Sequence, residues 1–373
     1  MVLKRRQILM LAGGSLGLGM AVSLGQLLSQ SSRQRTAEDS IEPTAPVEPT
    51  PDPSPTPIAI APAGMFAPVR GDVRLVVMSD LNSRYGSTTY ESQVGQAISL
   101  IPDWQPDLVL CAGDMVAGQK VSLSASNIQA MWEGFDRVVA EPLRQLAMPF
   151  AITMGNHDAS GNVDSSGGFI FQQERELAQA YWDDPRHDLH LEFLNKASFP
   201  FVYSFRQNEI FYLIWDGSSY QMPIQQIQTL EAQLASEPAQ SAKLRIVMGH
   251  LPLYAVSPAR DKPGEVLQSA SELQQLLETY QVHVYVSGHH HAYFPGHRDQ
   301  LKLLFSGALG SGPRPLINSD LEPRHTLTVV DINLEQQTSR YTTYDMKTLA
   351  MIKPDNLPQK IVGTQGWVLR EEA

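Results

Sequence analysis

The sequence predicts an α/β fold built around a largely parallel β-sheet. Five apolar runs without polar alternation are typical of strands that are buried on both faces. Stretches with apolar residues at three- and four-residue steps separate several of these runs, as helices do in βαβ units. Each run also ends in a small residue followed by a polar side chain, which we expect at the carboxyl edge of the sheet.

The five predicted strands precede short segments rich in Asp, Asn and His. The strands are Val73–Met78, Leu108–Cys111, Phe150–Met154, Arg245–Met248 and Val282–Val286. The segments that follow them are, in order, SDLN, AGD, GNHD, GH and SGHHH. Because the carboxyl ends of parallel strands meet at one edge of a sheet, we expect all five segments to converge there.

Three helices are predicted between these strands. Their apolar positions are Val94, Ala97, Ile98 and Ile101 in the first, Ile224, Ile227, Leu230 and Leu234 in the second, and Leu273, Leu276, Leu277 and Tyr280 in the third. Pro223 suits the start of the second helix. Ser269 and Glu272 have the spacing of a capping box before the third. Near the end of the chain, the alternation in Thr326–Ile332 and Ser339–Asp345 predicts a closing hairpin.

The first 68 residues differ in composition from the rest. Lys4, Arg5 and Arg6 precede a charge-free apolar run from Ile8 to Leu28, and the paired arginines resemble a twin-arginine export signal. We therefore expect residues 1–40 to be a signal peptide, cleaved or retained as a membrane anchor, and the protein to reach the periplasm or an equivalent compartment. Residues 41–68 are rich in Pro and Thr and are predicted to be a semi-rigid linker, either a tether or a leader without mechanical purpose.

Composition, net charge and cysteine count exclude several structural and functional classes for this chain. Of the 373 residues, 42% are hydrophobic, which excludes disorder throughout. The net charge is −11, and it falls to −14 without residues 1–40, which carry five basic and two acidic residues. An acidic body argues against a nucleic-acid-binding protein. The single cysteine, Cys111, excludes an internal disulfide and a thiolate metal cage. We expect one domain at residues 69–350 and a C-terminal tail at 351–373.

The side chains expected at the sheet edge form a donor set for metal ions. They are Asp80, Asn82, Asp114, Asn156, His250, His289 and His291. Carboxylate and amide oxygens mixed with imidazoles suit Mn, Fe or Zn. Seven donors are too many for one catalytic ion and fit two divalent or trivalent ions that share a carboxylate. Two such ions, roughly 3.5–4 Å apart, can hold a bridging hydroxide and clamp a phosphoryl group.

The motif order DxN, GD, GNHD, GH and GHxH resembles that of the calcineurin-like metallophosphoesterase superfamily over residues 70–345. The resemblance implies a four-layer α/β sandwich of two mixed sheets flanked by helices, with a dinuclear metal centre at the strand ends. It also implies an enzyme that hydrolyses phosphate esters. By position, Asp80 and His291 would serve one ion, and Asn156, His250 and His289 the other, with Asp114 bridging.

The purple acid phosphatase-like branch is closest in pattern. The stretch Tyr203–Asp216 and the sequence GHLPLY at Gly249–Tyr254 are similar to that branch. The branch places a tyrosine ligand three residues after its GD aspartate, however, and Ala117 stands there. We therefore do not expect a coloured iron–tyrosinate centre.

Asn82 occupies a position where most of the superfamily has histidine. An amide oxygen is a weaker donor than imidazole, so Asn82 is either a weak ligand or a hydrogen-bonding residue beside a looser site.

The resemblance implies that His157 contacts the phosphoryl oxygen or protonates the leaving group, with Asp158 orienting its ring. His290, between two candidate ligands, is expected to point away from the metals. Arg84, Tyr85 and Tyr254 are candidate substrate-binding residues, with solvation of Arg84 and core packing of Tyr254 as the alternatives. The long segment between Asp158 and Phe199 is predicted to be a lid that sets substrate choice.

Two other functions are compatible with the sequence. One is a non-catalytic, metal-stabilised binding module, in which Asn82 marks decay of one metal site. The other is a membrane-tethered envelope adaptor that acts through the linker and the apolar segment. The presence of both His157 and Asp158 favours the enzyme, since a scaffold does not require them. The sequence is compatible with a monoester, a diester or a nucleotide as substrate and does not indicate an oligomeric state.

Overall fold

Two mixed β-sheets lie at the centre of the structure, a computed structural model that describes residues 58–310 and 312–372. The smaller sheet has six strands in the order β13-β12-β11-β1-β2-β3, and the larger has nine in the order β14-β15-β9-β10-β8-β7-β6-β5-β4. The strands are β1 Val73–Met78, β2 Leu108–Cys111, β3 Phe150–Ile152, β4 Phe193–Ser198, β5 Val202–Gln207, β6 Ile210–Ile214, β7 Leu244–Met248, β8 Val284–Ser287, β9 Tyr293–Arg298, β10 Leu301–Ser306, β11 Thr326–Asn333, β12 Thr338–Asp345, β13 Ala350–Met351, β14 Lys360–Gly363 and β15 Gly366–Arg370.

Eight α-helices accompany the sheets in the described part of the chain. They are α1 Ser92–Trp104, α2 Ala125–Phe135, α3 Glu141–Gln145, α4 Asn156–Ala159, α5 Gln172–Asp183, α6 Ile224–Leu234, α7 Glu237–Gln240 and α8 Ala270–Thr279. A π-helical turn at Asp136–Ala140 joins α2 to α3. Of the helices named here, none combines the length and the apolar character needed to cross a bilayer.

The parallel strands predicted from the apolar runs are divided between the two sheets. Strands β1, β2 and β3 pair in parallel in the smaller sheet, and β6, β7, β8 and β10 pair in parallel in the larger one. Antiparallel strands flank both groups, including the predicted hairpin of β11 and β12. The expectation of one largely parallel sheet is therefore replaced by two mixed sheets, as the resemblance implies.

Alternation along β1 shows how the four layers are built. Val73, Leu75 and Val77 pack in one cluster with the strands of the larger sheet, whereas Val76 and Met78 pack with α1 and α2. Leu230 and Leu234 of α6 and Leu273 and Leu277 of α8 join the first cluster. The order is helices, sheet, sheet, helices, which confirms the predicted α/β sandwich.

The helix starts differ in detail from the sequence analysis. Ser269 lies at the N-cap of α8 with φ −97° and ψ 43°, outside the extended conformation of a capping residue, and its side chain does not make the predicted capping bond. Ser124 and Asn127 form a capping box at the start of α2 that the sequence analysis did not single out.

Paired backbone lies on both sides of the predicted boundaries at residues 69 and 350. Residue Ala59 of the predicted linker pairs with Val69. In the predicted tail, β14 and β15 extend the larger sheet beside β9, and Glu371 lies 2.7 Å from Lys302 Nζ. Pro354 and Pro358 precede β14, and the partly exposed residues of these short strands give no continuous apolar run. The predicted signal segment 1–40 and residues 41–57 of the predicted linker lie outside the described residues.

Arg74 joins the first strand to its surroundings from a fully buried position. Its guanidinium donates to both carboxylate oxygens of Asp331 on β11, at 2.8 and 3.1 Å. The remaining N–H groups donate to the carbonyl oxygens of Ile60, Trp104 and Pro68. All five donors of the guanidinium are therefore satisfied, which a buried charge requires.

We predict that Arg74→Met lowers the free energy of unfolding by about 3–5 kcal/mol, because the substitution leaves the buried Asp331 carboxylate without its cation. Urea denaturation of the purified protein measures this. Arg206→Met is the control, since Arg206 makes a 3.4 Å bond to Ser241 at the surface. A loss for Arg74→Met no larger than that of the control contradicts the assigned role.

Candidate metal centre

Six of the seven predicted metal ligands lie close together, just after the carboxyl ends of strands from both sheets. Asp80 and Asp114 follow β1 and β2, Asn156 begins α4 after β3, and His250, His289 and His291 follow β7 and β8. Their exposed fractions lie between 0 and 8%. The smaller sheet thus supplies the two carboxylates and the amide, and the larger sheet supplies the three imidazoles.

Asp80, Asp114 and His291 form one donor group. One potential ligand atom from each lies within 4.8 Å of the others, so this triad could hold a metal ion. His291 Nε2 lies 3.1 Å from Asp80 Oδ1. Two carboxylates beside one imidazole form an oxygen-rich donor set.

Asn156, His250 and His289 form the second donor group. Asn156 Oδ1 lies 3.0 Å from His250 Nε2 and 2.8 Å from His289 Nδ1. Asp114 Oδ2 lies 3.3 Å from His250 Nε2. Asp114 is therefore adjacent to both groups, which is the position expected of a bridging carboxylate.

The opposite ring nitrogen of each histidine faces an acceptor. His250 Nδ1 lies 2.7 Å from the carbonyl oxygen of Ala112, and His291 Nδ1 lies 2.8 Å from that of Gly312. His289 Nε2 lies 2.8 Å from Glu265 Oε2. In a neutral ring the proton belongs on the nitrogen that faces the acceptor, so the other nitrogen directs a lone pair into the centre.

The residues therefore fit the cations that the fold implies. The inner nitrogens of the three imidazoles lie 2.8–3.3 Å from the oxygens of Asp80, Asp114 and Asn156, and where an inner nitrogen carries no proton, a positive charge between the facing atoms offsets their repulsion. Burial alone would lower the pKa of His250, but the Asp114 carboxylate raises it to about 9. Burial and the nearby His250 hold the pKa of His289 well below its ordinary value. The site thus favours one added positive charge, which a metal ion can supply in place of a proton.

Four of the candidate ligands have strained backbone conformations. Asp80, Asp114, His289 and His291 have φ values of 52°, 56°, 64° and 52°. Non-glycine residues occupy this left-handed region at a cost of about 1–3 kcal/mol each, and such residues cluster at functional sites. The neighbouring glycines leave room for the turns, since a Cβ on Gly155 would collide with Asp114 Oδ1 and one on Gly288 would lie 2.7 Å from Asp80 Oδ2.

A chain of hydrogen bonds orients the Asn156 amide. Asn156 Nδ2 donates to Gln119 Oε1 at 2.7 Å, which turns Oδ1 toward the histidines. The backbone N–H of Gln119 donates to the buried Glu174 carboxylate on α5, also at 2.7 Å. Helix α5 belongs to the segment predicted as a lid, and it supports the loop that carries Gln119. That this segment covers the site and sets substrate choice stays a prediction.

His157 lies at the edge of the centre. Its Nδ1 lies 3.1 Å from the carbonyl oxygen of Gly118, and its Nε2 lies 3.9 Å from Asp114 Oδ2. The Tyr85 ring packs against the His157 ring with centroids 5.1 Å apart; that Tyr85 binds substrate stays a prediction. The side chain of His157 is 17% exposed. Its Nε2 thus faces the centre from the side that solvent reaches.

Asp158 has a different role from the one predicted. Its carboxylate accepts hydrogen bonds from the backbone N–H groups of Val116 and Gly155, each at 2.8 Å, while Gly118 orients the His157 ring. Asp158 therefore fastens together the two loops that carry Asp114 and Asn156. Burial and the charge of Asp114 raise the pKa of Asp158 to about 7.

The other predicted residues are placed as follows. Asn82 is buried, and its Nδ2 donates to the carbonyl oxygen of Val116 at 3.3 Å; its role as a metal ligand stays a prediction. His290 points away from the metal centre and contacts Val256 N and Glu265 O. Arg84 is exposed on the loop after β1.

Tyr254 is not positioned to bind substrate, which corrects the prediction. Its ring is 2% exposed, its hydroxyl donates to Gln274 of α8 at 2.5 Å, and the Arg298 guanidinium stacks over the ring at 4.4 Å. Tyr254 is therefore packed in the core, which is the alternative that the sequence analysis gave.

Three residues near the centre were missed by sequence reasoning. Glu265 and Gln119 orient His289 and Asn156, and Arg314 donates to the carbonyl oxygen of His289 at 3.3 Å. All three lie in loops outside the motifs, so only spatial proximity identifies them.

Comparison with known proteins agrees with this geometry. The sequence profile of the calcineurin-like phosphoesterase family matches residues 73–293, which include all the candidate ligands. The chain belongs to the calcineurin-like phosphoesterase family. This confirms the predicted family and, at the level of the family, the predicted enzyme class of metallophosphoesterase. No curated protein sequence matches the chain.

A solved structure shares the fold at low sequence identity, and others resemble the chain more weakly. A purple acid phosphatase from yellow lupin (Lupinus luteus) seeds is 15% identical with a TM-score of 0.53, and the match covers 77% of this chain and 55% of that one. The chain thus spans little more than half the length of the lupin protein. A dimetal phosphatase from Danio rerio is 12% identical over 73% of this chain and 95% of its own, with a TM-score of 0.44. GAP50, the anchor in the inner membrane complex of Plasmodium, is 13% identical over 75% and 87%, with a TM-score of 0.48.

We predict that Glu265→Gln weakens the binding of one metal ion about 10- to 100-fold, because a neutral amide polarises and orients the His289 ring less well than a carboxylate. Isothermal titration of chelator-treated protein with Mn²⁺ or Zn²⁺ measures this. Glu272→Gln, an exposed change on α8, is the matched control. Equal affinities in wild type and Glu265→Gln would show that Glu265 does not support the centre.

Proposed function

We propose that the protein hydrolyses phosphate esters at this centre with two metal ions bound. The observation that carries the proposal is the common orientation of the three histidines, each with its far nitrogen held by an acceptor and its near nitrogen facing Asp80, Asp114 or Asn156. Mn, Fe and Zn are the ions that this mixture of donors supports best.

The metal ions would supply Lewis acidity toward the phosphoryl oxygens and would lower the pKa of a bound water. The chain's own residues set the geometry around them. Asp80 and His291 would hold one ion and Asn156, His250 and His289 the other, with Asp114 between the two groups. Asp158 keeps the Asp114 and Asn156 loops in register through its two backbone hydrogen bonds.

His157 is the residue that we propose acts on the substrate. Because Gly118 accepts from Nδ1, the Nε2 position faces the centre. A protonated His157 can donate from Nε2 to a phosphoryl oxygen, or transfer that proton to the ester oxygen as the bond between phosphorus and the leaving group breaks. The Asp114 carboxylate lies 3.9 Å from Nε2, within the range of an ion pair with the charged ring.

Export to the periplasm or an equivalent compartment is the second part of the proposal. It is supported by the paired Arg5 and Arg6 and the apolar run that follows them. A twin-arginine route lets a protein fold and take up its ions before it crosses the membrane. That order of events suits a centre of mixed donors, which readily captures a competing metal. Whether the segment is cleaved or kept as an anchor decides whether the enzyme is tethered.

We predict that His157→Ala lowers kcat/KM for p-nitrophenyl phosphate about 10²- to 10⁴-fold in the presence of Mn²⁺, because it removes the proton donor. Metal content, measured by elemental analysis, is expected to stay at the wild-type level. His190→Ala, which removes a surface histidine paired with Asp188, is the control. Metal binding without turnover of any phosphate ester in the wild type would support the binding module instead.

We predict that replacing Arg5 and Arg6 together with lysine stops export of a reporter fused behind residues 1–68, because the twin-arginine pathway recognises the paired arginines. Cell fractionation in a bacterium that carries this pathway measures the result. Replacing Arg33 and Arg35 with lysine is the control within the same segment. Export of the doubly substituted fusion at the level of the unsubstituted one refutes this route.

A further inference from the structure

The side chain of Glu174, on α5, binds the backbone of a loop beside the metal centre. The residue is 3% exposed. Its Oε2 accepts a hydrogen bond from the backbone N–H of Gln119 at 2.7 Å, and its Oε1 accepts one from that of Lys120 at 3.3 Å. Within the described residues, these two consecutive N–H groups are the donors to a carboxylate that is buried and therefore requires them.

The loop at residues 117–120 contacts both a candidate metal ligand and the proposed proton donor. Gln119 Oε1 accepts a hydrogen bond from Asn156 Nδ2 at 2.7 Å. The carbonyl oxygen of Gly118 lies 3.1 Å from His157 Nδ1, and the N–H of Gly118 donates to the carbonyl oxygen of His157 at 2.9 Å. The orientation of two functional side chains therefore depends on two consecutive residues of this loop.

The backbone of this loop is strained at the residue that Glu174 binds. Gln119 has a φ of 64°, in the left-handed region. A non-glycine residue keeps such a conformation only where the surrounding structure imposes it. Because the hydrogen bond to Glu174 starts from the N–H of Gln119 itself, we expect the loop to relax away from this conformation when the acceptor is removed.

Helix α5 is fixed to the chain that carries the same two functional side chains. Arg175, the next residue of α5, is 9% exposed. Its Nη1 donates to the carbonyl oxygen of Ala159 at 2.7 Å, and its Nη2 lies 2.7 Å from Asp216 Oδ2. Ala159 ends α4, which begins at Asn156. The helix thus contacts both the loop at residues 117–120 and α4, so Glu174 has a defined position relative to both.

We infer that Glu174 is a positioning residue that aligns the Asn156 ligand and the His157 proton donor together, through the backbone of residues 118 and 119. The inference rests on the proposed phosphoesterase function. It gives the segment after Asp158 a role in supporting the metal centre through α5, separate from the predicted role as a lid. A variant without this carboxylate keeps every metal donor and the proton donor but loses their alignment, to which turnover is sensitive.

We predict that Glu174→Gln lowers kcat/KM for p-nitrophenyl phosphate about 10- to 100-fold at saturating Mn²⁺. The amide has nearly the size of the carboxylate, but its Nε2 is a donor and cannot accept from a backbone N–H. Glu176→Gln, an exposed change on the same helix, is the matched control and is expected to keep wild-type activity. Urea denaturation shows whether each variant is folded under the assay conditions.

The shorter variant Glu174→Asp separates hydrogen bonding from packing. It keeps both acceptor oxygens but leaves a gap in the buried site, whereas Glu174→Gln fills the site and loses an acceptor. A positioning role predicts that Glu174→Asp retains more activity than Glu174→Gln. The opposite order would show that the side chain acts by filling space, and this comparison also stands if one of the two variants is the less stable.

Double substitutions test whether the effect passes through the two named side chains. In a His157→Ala background, Glu174→Gln is expected to lower kcat by a factor at least about three-fold smaller than in the wild type, because the group that it aligns is already absent. An equal loss in both backgrounds would overturn the part of the inference that concerns His157.

A binding measurement tests the Asn156 part without turnover. In isothermal titration of chelator-treated protein with Mn²⁺, Glu174→Gln is expected to weaken one of the two ions about ten-fold, since Asn156 belongs to one donor group. Gln119→Ala, which removes the link to Asn156, is expected to give a similar loss, and the double variant no larger one. Additive losses would show that Glu174 acts by another route.

The two measurements also separate this inference from the proposed function. If wild type hydrolyses p-nitrophenyl phosphate and Glu174→Gln equals Glu176→Gln in both turnover and Mn²⁺ affinity, the positioning role is wrong and the phosphoesterase stands. If wild type hydrolyses no ester, the proposed function and the His157 part fail together, and the Mn²⁺ affinities alone decide whether Glu174 positions Asn156.

Discussion

Three hydrogen bonds hold the histidine ring nitrogens that face away from the metal centre. They determine what the opposite ring nitrogens can bind. The acceptors are the carbonyl oxygens of Ala112 and Gly312 and the carboxylate of Glu265. Each places a ring proton away from the centre, so that the remaining lone pairs meet the oxygens of Asp80, Asp114 and Asn156. A proton or a metal ion between the facing atoms relieves the repulsion of these electron pairs, and with metal ions the arrangement is a preorganised donor set.

The fold brings these donors together from both sheets and holds four of them in strained backbone conformations. Carboxylates come from one sheet and imidazoles from the other, so neither sheet alone can form the centre. Asp158 joins the Asp114 loop to the Asn156 loop, and four candidate ligands are held in left-handed backbone conformations. The paired buried charges of Arg74 and Asp331 hold β1, which precedes Asp80, against β11. Packing and hydrogen bonds elsewhere thus offset strain at the site.

The positions of the motifs could be predicted from the sequence. The contacts between the motifs could be predicted only in part. Apolar runs located β1 and β2 to the residue, because a strand buried on both faces leaves a strong local signal. The division of the strands between two sheets came from the family resemblance, since periodicity does not specify partners. Glu265, Gln119 and Arg314 lie in loops, and the roles of Asp158 and Tyr254 depend on neighbours distant in sequence. Strand β14, Lys360–Gly363, escaped because it is only partly buried and lacks the continuous apolar run of β1 and β2.

Anomalous X-ray diffraction from crystals soaked in Mn²⁺ locates each bound ion without reference to any substrate. We expect two peaks on either side of Asp114, one beside Asp80 and His291 Nε2, the other beside Asn156, His250 Nε2 and His289 Nδ1. Peaks elsewhere, a fully loaded crystal with no peak between these side chains, or ions bound to the outer ring nitrogens would show that these donors do not form a two-metal centre.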